Sequence, residues 1–379
     1  MQNNKRMESD EVNLFKITNT NHKNLDGIRA IGILMVIAQH FYGELINLKV
    51  LWISIDLLFA LSGLLITGIL IETKEDKNYF KKFYLRRILR IFPLYYLLII
   101  IFSIYIFVIT NHPEIFEQFK SNIFYYLTYT QNWLFLKTGM PEPVHLNHTW
   151  SLAIDEQIYL FWPFLIWFLK KPKNLTLLCF ITLIASLFFR FFYNLEMENT
   201  GSPHPFPFFH NTLCRLDSFA AGSLLFCLLK YHNNYLSNKK VLILFIFTIL
   251  AFILFGVIDK SFERGGYFMR NFGMTIIALH FCTWLFFAVK NISPILNIIF
   301  SNYILVYIGK ISYSLYVFHW FLLILLLPKI NMLVENILGH KSSYLAITLC
   351  LLFTFFISAL SYEYFEKPFI KLKKKFSYK

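Results

Sequence analysis

About ten stretches of this chain stay apolar for roughly 20 residues each, the length an α-helix needs to cross a hydrocarbon layer about 30 Å thick. They cover residues 27–46, 50–71, 91–110, 149–169, 174–193, 211–230, 239–257, 267–289, 303–327 and 344–365. Segment 121–137 is aromatic but short and studded with polar residues, which predicts an interfacial or re-entrant helix. The pattern predicts an all-α integral membrane fold: about ten transmembrane helices plus that short helix, with polar tails at 1–25 and 367–379 flanking one transmembrane domain at 26–366.

Composition supports this class and excludes others. Of 379 residues, 57% are hydrophobic and only 15% are charged. A soluble chain carries about 25% charged residues and has no single core able to hide this much apolar surface. The net charge of +14 follows the helix ends. With an inside N-terminus, about 24 Lys and Arg fall on the cytoplasmic side and about eight outside, the usual inside bias of positive charge. The densest groups are Lys74–Arg90, Lys170–Lys173 and Lys367–Lys379. Both termini are therefore expected in the cytoplasm. Basic residues split among loops do not form a nucleic-acid-binding face. The N-terminus shows no small-residue cleavage site, so the first span reads as an uncleaved anchor. Five cysteines sit singly in apolar spans, with the spacing of neither a disulfide framework nor a metal site.

Function is sought among polar residues within the spans, where each is costly. The first helix reads NLDGIRAIGILMVIAQHFYG. Arg29 and His40 are 11 positions apart, which leaves them within roughly 20° on one face and about 16 Å apart along the axis. Asp26 lies near the same face and also suits a helix cap. The bland alternative is a snorkelling arginine and a histidine bonded to a neighbouring helix. The sharper one is chemical, because a neutral imidazole is what a general base or an acyl acceptor requires.

Two further constellations stand out. In FYLRRILRIFPLYY, Arg86, Arg87 and Arg90 lie where the third helix leaves the cytoplasm, with Arg87 and Arg90 an i,i+3 pair. Guanidinium groups bind phosphate bidentately, so the pair suits a polyphosphate ligand as well as topological charge. In NHTWSLAIDEQIYLFWP, Trp150 reads as an interface anchor, whereas Asp155 and Glu156 are acids inside an apolar helix. Glu156 comes out roughly 10 Å below the outer edge of the hydrocarbon, a depth similar to that of His40, Arg215, Asp217 and His319. Matching depths predict one polar cavity nearer the outer face.

These strings, together with DLLFALSGLLIT at 56–67, RLDSFAAG at 215–222, ISYSLYVFH at 311–319 and SYEYFEKPF at 361–369, occur in order along nearly the whole chain. In this the sequence closely resembles the acyltransferase-3 family of integral-membrane O-acyltransferases. It departs at Asp155, where many relatives have a second glutamate, and at Ala60, where an aromatic is common. The resemblance implies a multi-pass protein of the bacterial inner membrane, a stand-alone member without an appended extracytoplasmic hydrolase-like domain. It implies transfer of an acetyl or similar group from cytoplasmic acyl-CoA, acetyl-CoA being the expected donor, to a hydroxyl of an extracytoplasmic glycan such as a cell-surface polysaccharide or lipopolysaccharide. Under it, Arg86, Arg87 and Arg90 hold the CoA phosphates, and the thioester runs past Asp26 and Arg29 to His40. Glu156, Arg215 and His319 orient His40 or grip the sugar, and Trp150, Asp155 and Asp217 join the sugar site; no metal is needed. Direct transfer and a covalent acyl-histidine both stay open. The rival readings are a transporter, against which the spans show no paired broken helices, and a lipid-carrier scaffold.

Overall fold

A computed structural model describes residues 22–109, 113–140, 144–201 and 206–378; residues 1–21 of the expected N-terminal tail lie outside it. Apolar runs with no water to hydrogen-bond their backbone close every bond internally, and the described residues are helical with no strand. The main helices are α1 (Lys23–Tyr42), α2 (Ser54–Glu72), α3 (Tyr79–Ile109), α4 (Pro113–Leu127), α5 (Gln131–Thr138), α6 (Trp150–Phe168) and α7 (Pro172–Thr200). They continue as α8 (Thr212–Tyr231), α9 (Asn238–Ile258), α10 (Met274–Lys290), α11 (Tyr303–Lys310), α12 (Ser312–Leu338) and α13 (Ser343–Leu360).

Eight helices among the described residues are long and apolar enough to cross a bilayer. Two expected spans fall outside that set: 27–46, which is helical as α1, and 149–169, which is α6. Asp26, Arg29, Gln39 and His40 dilute the apolar character of α1; Asp155, Glu156 and Gln157 do the same in α6. Two boundaries also shift. The 303–327 stretch breaks after Lys310 and restarts at Ser312. The 121–137 segment is two short helices hinged at 128–130, with Tyr129 at φ 54°.

Helices α2 and α8 form the centre, each with 78% of its apolar window buried, whereas α9 has 17% buried. The close approach of α2 and α8 follows from two glycines set face to face. A Cβ on Gly63 would come within 2.0 Å of the Phe219 carbonyl oxygen, and one on Gly222 within 1.9 Å of that of Ala60. Small residues of this kind let helix backbones meet where lipid gives no hydrophobic drive to association. The small side chain of Ala60, fully buried, belongs to this contact. The outer helices turn Phe247, Leu250, Phe188 and Phe353 outward, as a surface solvated by lipid tails permits. Helix α1 packs on α2, α11 and α12, so its polar stripe faces protein rather than lipid.

Candidate active site

The stripe on α1 opens onto two different places. At its start, Asp26 and Arg29 line a cavity of about 360 Å³ together with Arg87 and Arg90 from α3, Glu156 from α6 and Lys373 from the C-terminal segment. Asp26 is not the helix cap, because the helix begins three residues earlier after His22. Its carboxylate instead accepts from Arg29 Nη1 at 2.6 Å. Just outside the helix, His22 is held below the usual imidazole range by burial, with Asp26 pulling the other way. Arg87 lies beside the rings of Phe83 and Tyr159, 5.7 and 5.8 Å from their centroids. Its buried Nε has no hydrogen-bond partner among the described residues. Arg86 lines the same cavity but spends donors on the carbonyl oxygens of Lys373 and Phe376 at 3.2 and 3.3 Å.

At the other end of α1, His40 meets a second histidine. Its Nδ1 lies 2.8 Å from Nε2 of His319 on α12, and the two rings are within 5° of coplanar. His319 Nδ1 lies 2.7 Å from the Tyr316 carbonyl oxygen. A carbonyl only accepts, so Nδ1 of His319 carries the proton. With both rings neutral, the chain of bonds is then set: His319 Nε2 is bare, His40 Nδ1–H donates to it, and Nε2 of His40 is left with a free lone pair. His40 sits in the last turn of α1 and is half-buried, not deep in mid-helix as the apolar pattern predicts; His319 is fully buried.

A third imidazole, that of His148, stands edge-on to His319 with centroids 5.2 Å apart. It lies two positions before Trp150 in a stretch already rich in polar residues, and that position is the signal that would have found it. Tyr316 separates the histidines from the cavity. Its hydroxyl donates to the His148 carbonyl oxygen at 2.9 Å and accepts from Ser151, and Tyr316 and Ser151 both line the cavity. The cavity reaches Ile33 on α1, seven residues short of His40, or roughly 10 Å at 1.5 Å per residue.

The remaining candidates divide between these places and the core. Asp155 and Glu156 line the arginine cavity, and the charges acting on Glu156 are those of Asp155 and Arg87. Glu156 is therefore on the arginine side, five residues beyond Ser151, and not next to His40 as matched depths suggest. Arg215 and Asp217 are fully buried in ion pairs: Arg215 with Asp56 at 2.9 Å, Asp217 with Arg190 at 2.7 Å. Asp217 also accepts from Thr275, and Asp56 from Ser218. These groups tie α2, α7, α8 and α10 together and do not line the cavity. Asp56 and Arg190, the only charged residues within their apolar stretches up to Leu70 and between Leu175 and Leu195, were legible as partners for them. Trp150 stacks edge-on to His210 at 4.7 Å and lies 5.0 Å from Phe209. Phe209 and Phe206 each hold the Arg264 guanidinium 4.6 Å above their rings. Arg264 lies in the loop after α9, and burial, with the like charge of Arg215, lowers it to about 10 against the pull of Glu263. Among the described residues no cluster of His, Cys, Asp and Glu has the makings of a metal site.

Comparison with known proteins gives a consistent family. The family model described as an acyltransferase domain, acyltransferase-3, matches residues 22–363. The chain is 30% identical over 370 residues to the peptidoglycan O-acetyltransferase OatA of Listeria monocytogenes, covering 92% of this chain and 56% of that protein. It is 28% identical over 358 residues to the putative peptidoglycan O-acetyltransferase YrhL of Bacillus subtilis, covering 91% and 54%. It is 27% identical over 371 residues to a putative O-acetyltransferase of Staphylococcus aureus, covering 92% and 57%. The chain thus spans little more than half the length of these relatives. No solved structure matches it.

Proposed function

Since the chain belongs to the acyltransferase-3 family, we propose that it is a membrane O-acetyltransferase taking its acyl group from cytoplasmic acyl-CoA and giving it to a hydroxyl of an extracytoplasmic glycan. One observation carries the reading: a single helix, α1, joins a cavity lined by arginines to a histidine with a free ring nitrogen. In such a reaction the donor is a polyphosphate with a thioester at the far end of a long arm, and the acceptor needs a base. Arg87 and Arg90 suit the phosphates, because guanidinium groups pair with phosphate bidentately. The arm would run along α1 past Ile33 and displace or pass Tyr316 and Ser151.

At His40, Nε2 would take the proton of the acceptor hydroxyl while its oxygen attacks the thioester carbonyl. The carbon–sulfur bond breaks, and CoA leaves as a thiolate that takes up the proton His40 received, which returns the imidazole to its neutral form. His319, held by the Tyr316 carbonyl, would fix the tautomer and stabilise the imidazolium formed, so it is a positioning residue. The same Nε2 would accept the acyl group in a two-step route. Two of the relatives carry peptidoglycan in their names, which makes that polymer the first acceptor to test, ahead of other polysaccharides and of lipopolysaccharide.

Purified protein in lipid nanodiscs, given acetyl-CoA and muropeptide fragments, should release CoA thiol and yield an acetyl ester. A transporter or a scaffold would leave the thioester intact. Intact acetyl-CoA with every acceptor, together with uptake of substrate into vesicles, would replace this reading by transport.

A further inference from the structure

The cavity holds more positive charge than the donor-binding arginines account for. Five basic side chains line it, Arg29, Arg86, Arg87, Arg90 and Lys373, against three acids, Asp26, Asp155 and Glu156. Asp26 is taken by Arg29. Lys373 comes from the far end of the sequence, past the last long helix, and its place there is specific. Its neighbours Lys374 and Lys375 are exposed, as lysines on a solvated tail are, whereas Lys373 is half-buried and turned into the cavity. It is electrostatically coupled to Arg90, Arg87, Arg86 and Arg29, and among the described residues it has no ion-pair partner. Burial and the like charges of these arginines hold the Lys373 ammonium below its ordinary range, and an anion brought into the cavity would offset that repulsion.

The tail carrying Lys373 is also held down. Arg86 donates to the carbonyl oxygens of Lys373 and Phe376, and its guanidinium lies 4.8 Å over the ring of Tyr378. A segment placed only by the inside bias of positive charge needs none of these contacts. We propose that Lys373 is a donor-binding residue, and that segment 373–378 is a strap, fastened by Arg86, which brings this lysine to the phosphates of acyl-CoA. The proposal rests on the reading of the arginine cavity as the donor site. It assigns Arg86 a role different from that of Arg87 and Arg90: Arg86 holds the strap, and the other two face the ligand.

The test uses the full chain in nanodiscs and CoA as the probe. Calorimetric titration should show Lys373→Ala weakening CoA binding about tenfold or more, as loss of one charge-assisted contact does. Lys373→Arg should stay within a few-fold of the parent, and Lys374→Ala should bind as the parent. Amine acetylation of the unmutated protein, mapped by mass spectrometry, gives a reading independent of variant folding. CoA should protect Lys373 and leave Lys374 and Lys375 unchanged. Equal labelling of Lys373 with and without CoA, or parental affinity in Lys373→Ala, would remove the strap from the site. If that occurs while Arg87→Ala/Arg90→Ala loses CoA, the donor reading stands without Lys373. If the double arginine variant binds as the parent, the donor reading itself falls.

Discussion

His40 Nδ1 and His319 Nε2 lie 2.8 Å apart, joining residues 279 positions distant in the chain. Because the Tyr316 carbonyl fixes the proton of His319 on Nδ1, this contact leaves His40 Nε2 as the open nitrogen. His40→Gln is the sharp test, since glutamine replaces a hydrogen bond but serves as neither base nor nucleophile. It should lower turnover by about 10²–10⁴-fold, the usual worth of a general base, with the protein still in the membrane. A near-parental acetylation rate in this variant would end the catalytic assignment. His319→Ala should reduce turnover less and shift the acid limb of the pH–rate profile, because the remaining imidazole loses its partner. An unchanged profile would make His319 merely structural.

Arg87 and Arg90 line the cavity at the start of α1. Replacing either by Ala should cost on the order of 1.5–3 kcal/mol of donor binding, or about ten- to a hundredfold in affinity. Equilibrium binding of acetyl-CoA to each variant checks this. Unaltered affinity in the double variant would reduce the pair to topological charge.

Glu156 shares that cavity with Arg87. Glu156→Gln removes an ionisable carboxyl from the place where donor phosphates are read to bind, so under conditions where that carboxyl is charged the donor KM should fall a few-fold, with kcat nearly unchanged. A collapse of kcat at constant KM would place Glu156 beside the reacting groups instead.

Arg215 and Asp56 form a fully buried pair at 2.9 Å. Removing one partner strands a buried charge and costs about 3–5 kcal/mol. Arg215→Ala should therefore lower yield and thermal stability before it alters any acceptor constant. A stable variant with a raised acceptor KM would return Arg215 to the substrate site.

Topology follows from the charge distribution and is open to reporter fusions. Fusions at Lys77 and Lys375 should report cytoplasm, and one at Ser261 the outside. An outside signal at Lys77 would invert the whole arrangement, including the side from which acyl-CoA enters.

The polar stripe on α1 and the arginine pair on α3 were legible in the sequence, because spacing along one helix fixes its faces. Depth along a helix proved a weaker guide. Glu156 and Arg215 come out near His40 by counting residues, yet one faces the arginine cavity and the other is closed into a core ion pair. Depth gives one coordinate only, while the rotation of each helix about its axis gives the second. Lys373 and His148 lie in short segments whose paths depend on what they pack against, so nothing periodic marks them.

The sequence by itself determined that this is a helical membrane protein and roughly where most of its helices run, since each apolar window must satisfy its own backbone in lipid whatever lies beside it. It also determined the chemistry available, an imidazole and an arginine on one face of the first helix and an arginine pair at the start of the third. Only the tertiary structure decided which of these groups meet. Contacts such as His40 with His319, or Lys373 with the arginines of α3, depend on how helices distant in the chain rotate and pack, and that is set by close approaches like Gly63 against Phe219 rather than by any local pattern.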